Sequence, residues 1–274
     1  MNIKLIVEQA QRGELIFPTN VRVSLKLLQA LDDPDCHLDS AAKLILAEPL
    51  IAARLVAIGN SVAYTRYGAK VENVRTAVNL LGFKSVRSLV AAIVVRQFSS
   101  AIVEPTIRKK AELLWEHCAH VASIAKVLAR YVTQIDPDTA MFAGIVHEIG
   151  GFYLLSRAEE FPGILEVGPD HRTADTDLIL AHCVLSALLV PKQVATAVES
   201  LWVEVRNLLP VTLGDTLRLA NDLAEVHSPL DSTADITKLE TTEPIDFEVR
   251  DKTLQVILTE SADEIKSMTQ ALLI

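Results

Sequence analysis

The chain has 274 residues, of which 50% are hydrophobic but only 5% aromatic, and a formal net charge of −9. This length can bury one large core or two modest ones, and a core of Leu, Val, Ile and Ala favours helices over strands. The acidic balance argues against sequence-independent binding to nucleic acid, which needs a positive face that releases counterions.

The N-terminal segment is not typical of an exported or membrane-inserted chain. Glu8 lies where a secretory signal has its apolar centre. The strongly apolar runs, such as SLVAAIVV between Arg87 and Arg96, are shorter than the roughly 20 residues that span a bilayer. We therefore expect a cytoplasmic protein without a membrane partner.

Residues 1–105 are expected to form an N-terminal lobe of short helices. Pro49 ends or kinks one of them, and two later helices meet at a turn at Gly82. Two helices joined at a glycine have the outline of a DNA-reading motif. The second helix, however, is uniformly apolar from Leu89 to Val95, which is typical of a core helix. Nucleic-acid binding is therefore not expected.

Residues 106–230 are expected to form a second helical lobe, which begins with a long helix from about Ile107 to Tyr131. Later helices are predicted at residues 177–189, 191–207 and 213–226. Residues 231–274 are interpreted as an exposed polar connection followed by one C-terminal helix or a pair of helices. No strand alternation is apparent, so the chain is predicted to be all-α.

The helix after the long one carries the most unusual segment, AGIVHEIGGFYLL. Asp136 is predicted to cap this helix, with Pro137 in its first turn. The two glycines, Gly150 and Gly151, are predicted to end it.

An imidazole and a carboxylate, His147 and Glu148, lie side by side in this apolar segment. His147 is either a core histidine, hydrogen-bonded to a backbone carbonyl or to His117, or a metal ligand. Glu148 is either a solvated or ion-paired carboxylate near a helix end or a further ligand. The residues alone leave both interpretations open.

The other reactive side chains favour structural roles. His120 is expected at the surface or at a cap, His182 in packing or hydrogen bonding, and His171 in an exposed turn. The cysteines lack a CxxC spacing and are expected to be small buried residues, without a disulfide or a thiolate metal site; they are Cys36, Cys118 and Cys183.

A series of segments in a fixed order resembles the HDOD proteins, the bacterial HD-related output domains, from about Ile16 to Val226. In the first half these are FPTNVRVSLKLLQALDDPD, AAKLILAEPLIAARLVAIGNSVAY and VRTAVNLLGFKSVRSL, and in the second half LWEHCAHVASIAKVLA, DTAMFAGIVHEIGGFYLL and HCVLSALLV. The resemblance implies an all-α, multi-helix HD-like bundle with an N-terminal helical lobe, and a signalling output without demonstrated catalysis.

The same resemblance implies a metal pocket that has lost part of its ligand set. Catalytic HD relatives hold divalent metals with a His, then a His-Asp pair, then a distant Asp. His117 and His147 match the two histidines, whereas Glu148 stands where the pattern has Asp. Asn221 stands at the last acidic position, with Asp222 one residue later. In the phosphodiesterase branch a His-His pair lies where this chain has the dipeptide Leu-Trp at 201–202.

Two functions follow from this resemblance. The first is a non-catalytic bacterial signal-transduction or interaction module, which needs no cofactor and contacts a signalling protein. The alternative is a metal-dependent phosphohydrolase acting on a nucleotide or phosphodiester. In that case His117, His147 and Glu148 would hold Fe, Mn, Zn or Mg, with Asp222 as a fourth ligand. The sequence leaves the oligomeric state open.

Overall fold

The computed structural model describes residues 2–17, 24, 27–31, 33, 35–61, 64, 70–166, 172–202, 209–231 and 245–273. Apart from one small hairpin, the regular structure of this part of the chain is helical, which confirms the all-α prediction. In chain order the helices are α1 (Asn2–Gln11), α2 (Leu38–Leu46), α3 (Pro49–Gly59), α4 (Val74–Gln97), α5 (Pro105–Leu128), α6 (Pro137–Val146), α7 (Ile149–Arg157), α8 (Ala174–Ala187), α9 (Lys192–Glu199), α10 (Leu213–Asp222), α11 (Leu254–Glu260) and α12 (Ala262–Leu273).

The two helices that carry the predicted site each begin with a proline, and the side chain of the preceding acidic residue caps each helix. Glu104 accepts a hydrogen bond from the Ile107 N–H at 2.7 Å where α5 begins. Asp136 accepts one from the Thr139 N–H at 2.8 Å where α6 begins, as predicted. Both side chains satisfy backbone donors that have no partner within the helix.

Helix α4 is the apolar core helix that the sequence predicts. It bends at Gly82, where φ is 74°, and every residue from Leu89 to Val95 is buried. Together with the following turn, Val74–Ala101 is long and apolar enough by composition to cross a membrane, but 67% of its apolar window is buried inside the protein. Its hydrophobicity is therefore accounted for by the core.

Helix α5 lies at the centre of the second half and packs against α6, α7, α10 and α12. Its closest approach is to α6 at Gly144, where an added Cβ would lie 2.5 Å from the Cα of Ala122. This contact allows the two helix backbones to touch. It fixes the distance between the histidine on α5 and the residues that follow α6.

The prediction that α6 would end at Gly150 and Gly151 is wrong. Helix α6 ends at Val146, and both glycines lie in the first turn of α7. The glycines allow close packing instead of ending the helix. An added Cβ at Gly150 would lie 3.1 Å from the backbone nitrogen of Ala181, and one at Gly151 would lie 2.9 Å from Glu148 Oε2.

The C-terminal region contains a hairpin that the sequence analysis missed. Two-residue strands, β1 (Glu248–Val249) and β2 (Lys252–Thr253), pair antiparallel, and they are too short to show an alternating pattern. The two helices α11 and α12 follow. Helix α12 packs against α5 and α3. Most of the polar connection, residues 232–244, lies outside the described residues, and the division at 105 and 230 stays a prediction.

Gly144→Ala tests the contact between α5 and α6. Because the new methyl group would meet backbone atoms, which cannot rotate away, we expect a loss of about 1 to 3 kcal/mol in the free energy of unfolding, despite the better helix propensity of Ala. Gly150→Ala is the matched control and should cost less, since its nearest contact is 3.1 Å. Denaturant unfolding of both variants measures this, and a Gly144→Ala variant as stable as the parent would contradict it.

Candidate metal centre

Three predicted site residues converge where α5, the joint between α6 and α7, and α10 meet. His117 comes from α5, while His147 and Glu148 form the joint. Both histidines are buried and Glu148 is half-buried. The potential ligand atoms of the three residues lie within 4.8 Å of one another.

Backbone carbonyls fix the tautomer of both histidines. Nδ1 of His117 lies 2.6 Å from the carbonyl oxygen of Val226, and Nδ1 of His147 lies 2.8 Å from that of Gly144. A carbonyl oxygen only accepts hydrogen bonds, so each Nδ1 carries the proton. A neutral imidazole has one N–H, which leaves Nε2 of each ring unprotonated.

The two unprotonated nitrogens face each other. The distance between Nε2 of His117 and Nε2 of His147 is 3.1 Å. Two lone pairs at this distance repel unless a cation or a hydrogen-bond donor lies near both. A metal with M–N bonds of about 2.1 Å would hold its nitrogens about 3.0 to 3.4 Å apart at octahedral or tetrahedral angles. The spacing therefore suits one cation shared by both rings, and the Nδ1–H···O=C bonds orient the rings in the way usual for metal-bound histidines.

Burial keeps both rings neutral. Burial, and secondly the neighbouring His117, lower the pKa of His147 to about 4. Burial is also the main cause that lowers the pKa of His117, although the charge of Glu148 and the Val226 carbonyl act in the opposite direction. Near neutral pH, then, a proton shared between the two Nε2 atoms is disfavoured.

Asn221 lies where the resemblance places the last acidic ligand. Its carboxamide lies near both His117 and His147, where it acts to raise the pKa of each ring against the larger effect of burial. Unlike an Asp carboxylate, the amide is neutral and adds no negative charge to balance a divalent cation. Asp222, one residue later, is not among the residues that line the adjacent cavity.

The cavity beside the histidine pair has a volume of about 180 Å³, and most of its described charged residues are acidic. Glu148, Asp177 and Asp231 contribute carboxylates, and Arg172 contributes the one guanidinium among the described lining residues. The Arg172 Nε donates to both carboxylate oxygens of Asp177, at 2.9 and 2.8 Å. Burial raises the pKa of Asp177 to about 6, although Arg172 opposes this shift. An incoming phosphate would therefore meet three carboxylates and one guanidinium, whose Nε is held by Asp177 while its buried Nη1 has no hydrogen-bond partner among the described residues.

Sequence analysis did not identify Arg172, Asp177 and Asp231 as site residues. The signal for Asp177 is weak, because it is one of two acidic residues in the first turn of α8, beside Asp175. Arg172 and Asp177 are only five residues apart in the sequence. Their position in the same cavity as His147 results from tertiary packing, which the sequence pattern does not show.

The remaining candidate residues either lie away from the histidine pair or line the cavity beside it. The dipeptide at 201–202, Leu201 and Trp202, lines the cavity. His182 is exposed, and its Nδ1 lies 2.7 Å from Glu199 Oε1. His120 is partly buried, the three cysteines are free, and residue 171 lies outside the described residues.

Comparison with solved structures shows the fold of the whole chain. A protein from Shewanella amazonensis described as a putative metal-dependent phosphohydrolase aligns over 98% of this chain and 97% of its own, with a TM-score of 0.70 and 20% identity. An HDOD domain protein of unknown function from Geobacter sulfurreducens aligns over 100% and 99%, with a TM-score of 0.64 and 20% identity. A putative signal transduction protein from Marinobacter aquaeolei aligns over 95% and 60%, with a TM-score of 0.56 and 18% identity.

The sequence also matches a family model. No curated protein matches the chain. The model described as the HDOD domain, however, matches residues 17–192, well over half of the sequence. This segment includes α5, α6 and the histidine pair. The chain therefore belongs to the HDOD family.

Proposed function

We propose that this chain is a non-catalytic signal-transduction or interaction module of the HDOD type, which acts in the cytoplasm on a signalling protein partner. The observation that carries the proposal is the position of Asn221 beside the histidine pair, in the wall of the adjacent cavity. There a neutral amide takes the place that the family resemblance gives to an anionic ligand, which leaves Glu148 as the one carboxylate of the candidate donor set.

The donor set would fit one divalent cation. His117, His147 and Glu148 would hold it through two ring nitrogens and one carboxylate oxygen, a set of three that catalytic zinc sites also use. Such an ion would polarise a phosphate oxygen and lower the pKa of a bound water. The set has three ligands, of which only Glu148 is anionic, and it lacks the further acidic ligand of the catalytic pattern. Leu201 and Trp202 offer no ligand for a second ion.

The cavity itself argues against hydrolysis of a nucleotide. Its volume of about 180 Å³ is smaller than the roughly 300 Å³ at which pockets for drug-sized ligands begin. The three carboxylates of Glu148, Asp177 and Asp231 would repel a phosphate and outnumber the one described guanidinium, that of Arg172, whose Nε is held by Asp177. The likeness to a putative signal transduction protein agrees with a module whose output is a contact with another protein.

The alternative function is a metal-dependent phosphohydrolase acting on a nucleotide or phosphodiester. The convergence of His117, His147 and Glu148 within 4.8 Å favours it, as does the likeness to a protein described as a putative metal-dependent phosphohydrolase. Asp222, the fourth ligand that this alternative needs, would have to turn toward the cavity.

The tautomers of the histidine pair can be measured directly. In chelator-treated protein at neutral pH, we expect both His117 and His147 to be protonated at Nδ1 and unprotonated at Nε2, because both Nδ1 atoms face carbonyl oxygens. Two-bond ¹H–¹⁵N correlation spectra distinguish the two ring nitrogens. A ring with its proton on Nε2 would contradict the arrangement.

Replacing the amide of Asn221 with a carboxylate tests whether the missing acidic ligand limits metal binding. Asn221→Asp should tighten Zn²⁺ or Mn²⁺ binding by about 10- to 100-fold, because it replaces a neutral amide with a negatively charged ligand. Calorimetric titration of metal into chelator-treated protein measures this. Asn73→Asp is the matched control, since it adds the same charge at the cap of α4 and should leave affinity unchanged. A parent protein that already binds one metal as tightly as Asn221→Asp would contradict the prediction.

A turnover assay separates the two functions. With Mn²⁺, Fe²⁺ or Zn²⁺ present, we expect no hydrolysis of p-nitrophenyl phosphate or bis-p-nitrophenyl phosphate that depends on His147. His147→Ala and His147→Gln should both match the parent, after circular dichroism has verified folding. Hydrolysis by the parent that both variants abolish would overturn the non-catalytic proposal in favour of the phosphohydrolase.

A further inference from the structure

A second and larger cavity, of about 870 Å³, lies between α3, α4, α5 and the end of α12. It shares no lining residue with the cavity beside His147. Its polar walls carry three guanidinium groups, from Arg54 on α3, Arg96 on α4 and Arg108 on α5. This is a concentration of positive charge in a chain whose net charge is −9.

Two of the three guanidinium groups, those of Arg96 and Arg108, have neutral partners. Arg96 donates to the carbonyl oxygen of Leu273 at 3.2 Å, at the C-terminal end of α12. Arg108 donates to the carbonyl oxygen of Ile102 at 3.1 and 2.7 Å. None of the ion pairs found among the described residues includes any of the three arginines.

Arg54 is the group whose position requires an explanation. It is only 7% exposed, and its buried Nε has no hydrogen-bond partner within the part of the chain that the structure describes. Burial, and secondly the charge of Arg96, lower the pKa of this guanidinium to about 10. A buried charge without a counter-charge is strongly unfavourable. Such an arginine beside a cavity indicates that an anion belongs there.

We propose that this cavity binds a small organic phosphate, with Arg54 as the deepest contact and Arg96 and Arg108 completing an anion site. Guanidinium groups present paired N–H donors that match phosphate oxygens. The volume lies within the roughly 300 to 1,000 Å³ of small-molecule sites, which leaves room for an organic group beyond the phosphate.

The rest of the lining indicates what that organic group would be. Ile93, Ala111 and Trp115 supply an apolar wall for a planar or aliphatic part. Glu112, which is exposed, and Glu116, which is half-buried, supply acceptors. Carboxylates accept hydrogen bonds from hydroxyl or amino groups and repel additional negative charge. The cavity therefore suits a ligand with one or two phosphates and a hydroxylated or amine-bearing body, and not an extended polyanion.

This inference goes beyond the proposed signalling function, because it gives the module a small-molecule input at a site separate from the histidine pair. Removing the pair would leave this site intact, and Arg54 variants would leave the histidine pair intact. Failure of one proposal is therefore distinguishable from failure of the other.

The test is binding of inorganic pyrophosphate and AMP to the full chain, measured by calorimetry and by the shift in melting temperature, against NaCl of equal ionic strength. We expect both probes at millimolar concentration to raise the melting temperature in a saturable way. Arg54→Met should weaken binding by at least about 10-fold. It should also leave the anion-free protein at least as stable as the parent, because it removes an uncompensated buried charge.

Two further variants complete the design. Arg108→Met changes an exposed guanidinium of the cavity and should also weaken binding, which keeps the test valid if Arg54→Met does not fold. Arg75→Met removes an exposed arginine that pairs with Asp39 at 2.9 Å, away from the cavity, and should bind as the parent does. No response of the parent beyond that to NaCl, or equal responses of the parent, Arg54→Met and Arg108→Met, would overturn the proposal.

Discussion

The candidate centre depends on two hydrogen bonds from imidazoles to backbone carbonyls. The Val226 and Gly144 carbonyl oxygens hold the Nδ1 protons of His117 and His147, so both Nε2 lone pairs point at one place, 3.1 Å apart. The orientation of His147 is also linked to helix packing, because Gly144 is the residue at which α6 touches α5. One glycine thus sets the helix spacing and, through its carbonyl, the orientation of a histidine. What the pair does then depends on its neighbour, and here that neighbour is the amide of Asn221.

The two cavities differ in charge. A phosphohydrolase would be expected to have positive charge beside its metal ligands, but here the arginines are concentrated in the other cavity. The cavity beside the histidines has three carboxylates, from Glu148, Asp177 and Asp231, against one described arginine. The larger cavity has three arginines against two described carboxylates, those of Glu112 and Glu116, and none of these arginines forms an ion pair with a described carboxylate. A phosphate ligand is electrostatically favoured at the second and disfavoured at the first. The proposed anion site and the candidate metal centre are therefore separate places in the same bundle.

Local sequence patterns were sufficient to predict the features of the fold that depend on interactions between neighbouring residues. Helical class, the Asp136 cap and the turn at Gly82 follow from side-chain period, capping chemistry and backbone freedom, and the structure has all three. The glycine pair at 150–151 was misinterpreted because a glycine that ends a helix and one that admits a neighbouring backbone look alike in sequence. Arg54 and Arg172 could not be recognised, since their importance lies in which distant residues surround them. The family resemblance located the histidines, but whether they bind a metal depends on distances that no motif contains.

Helix α5 gives the two cavities a common element. Arg108, Ala111, Glu112 and Trp115 recur at three- to four-residue intervals and line the basic cavity, while Leu114 and His117 belong to a second stripe on the helix. Trp115 and His117 are two positions apart, which on an α-helix corresponds to about 200° of rotation, so these two side chains lie on opposite faces of α5. A ligand that pulled α5 toward Arg54 would move His117 relative to His147 only if the tight contact of Ala122 with Gly144 also yielded. The close packing that builds the histidine pair therefore also limits how far an event at the basic cavity can reach it.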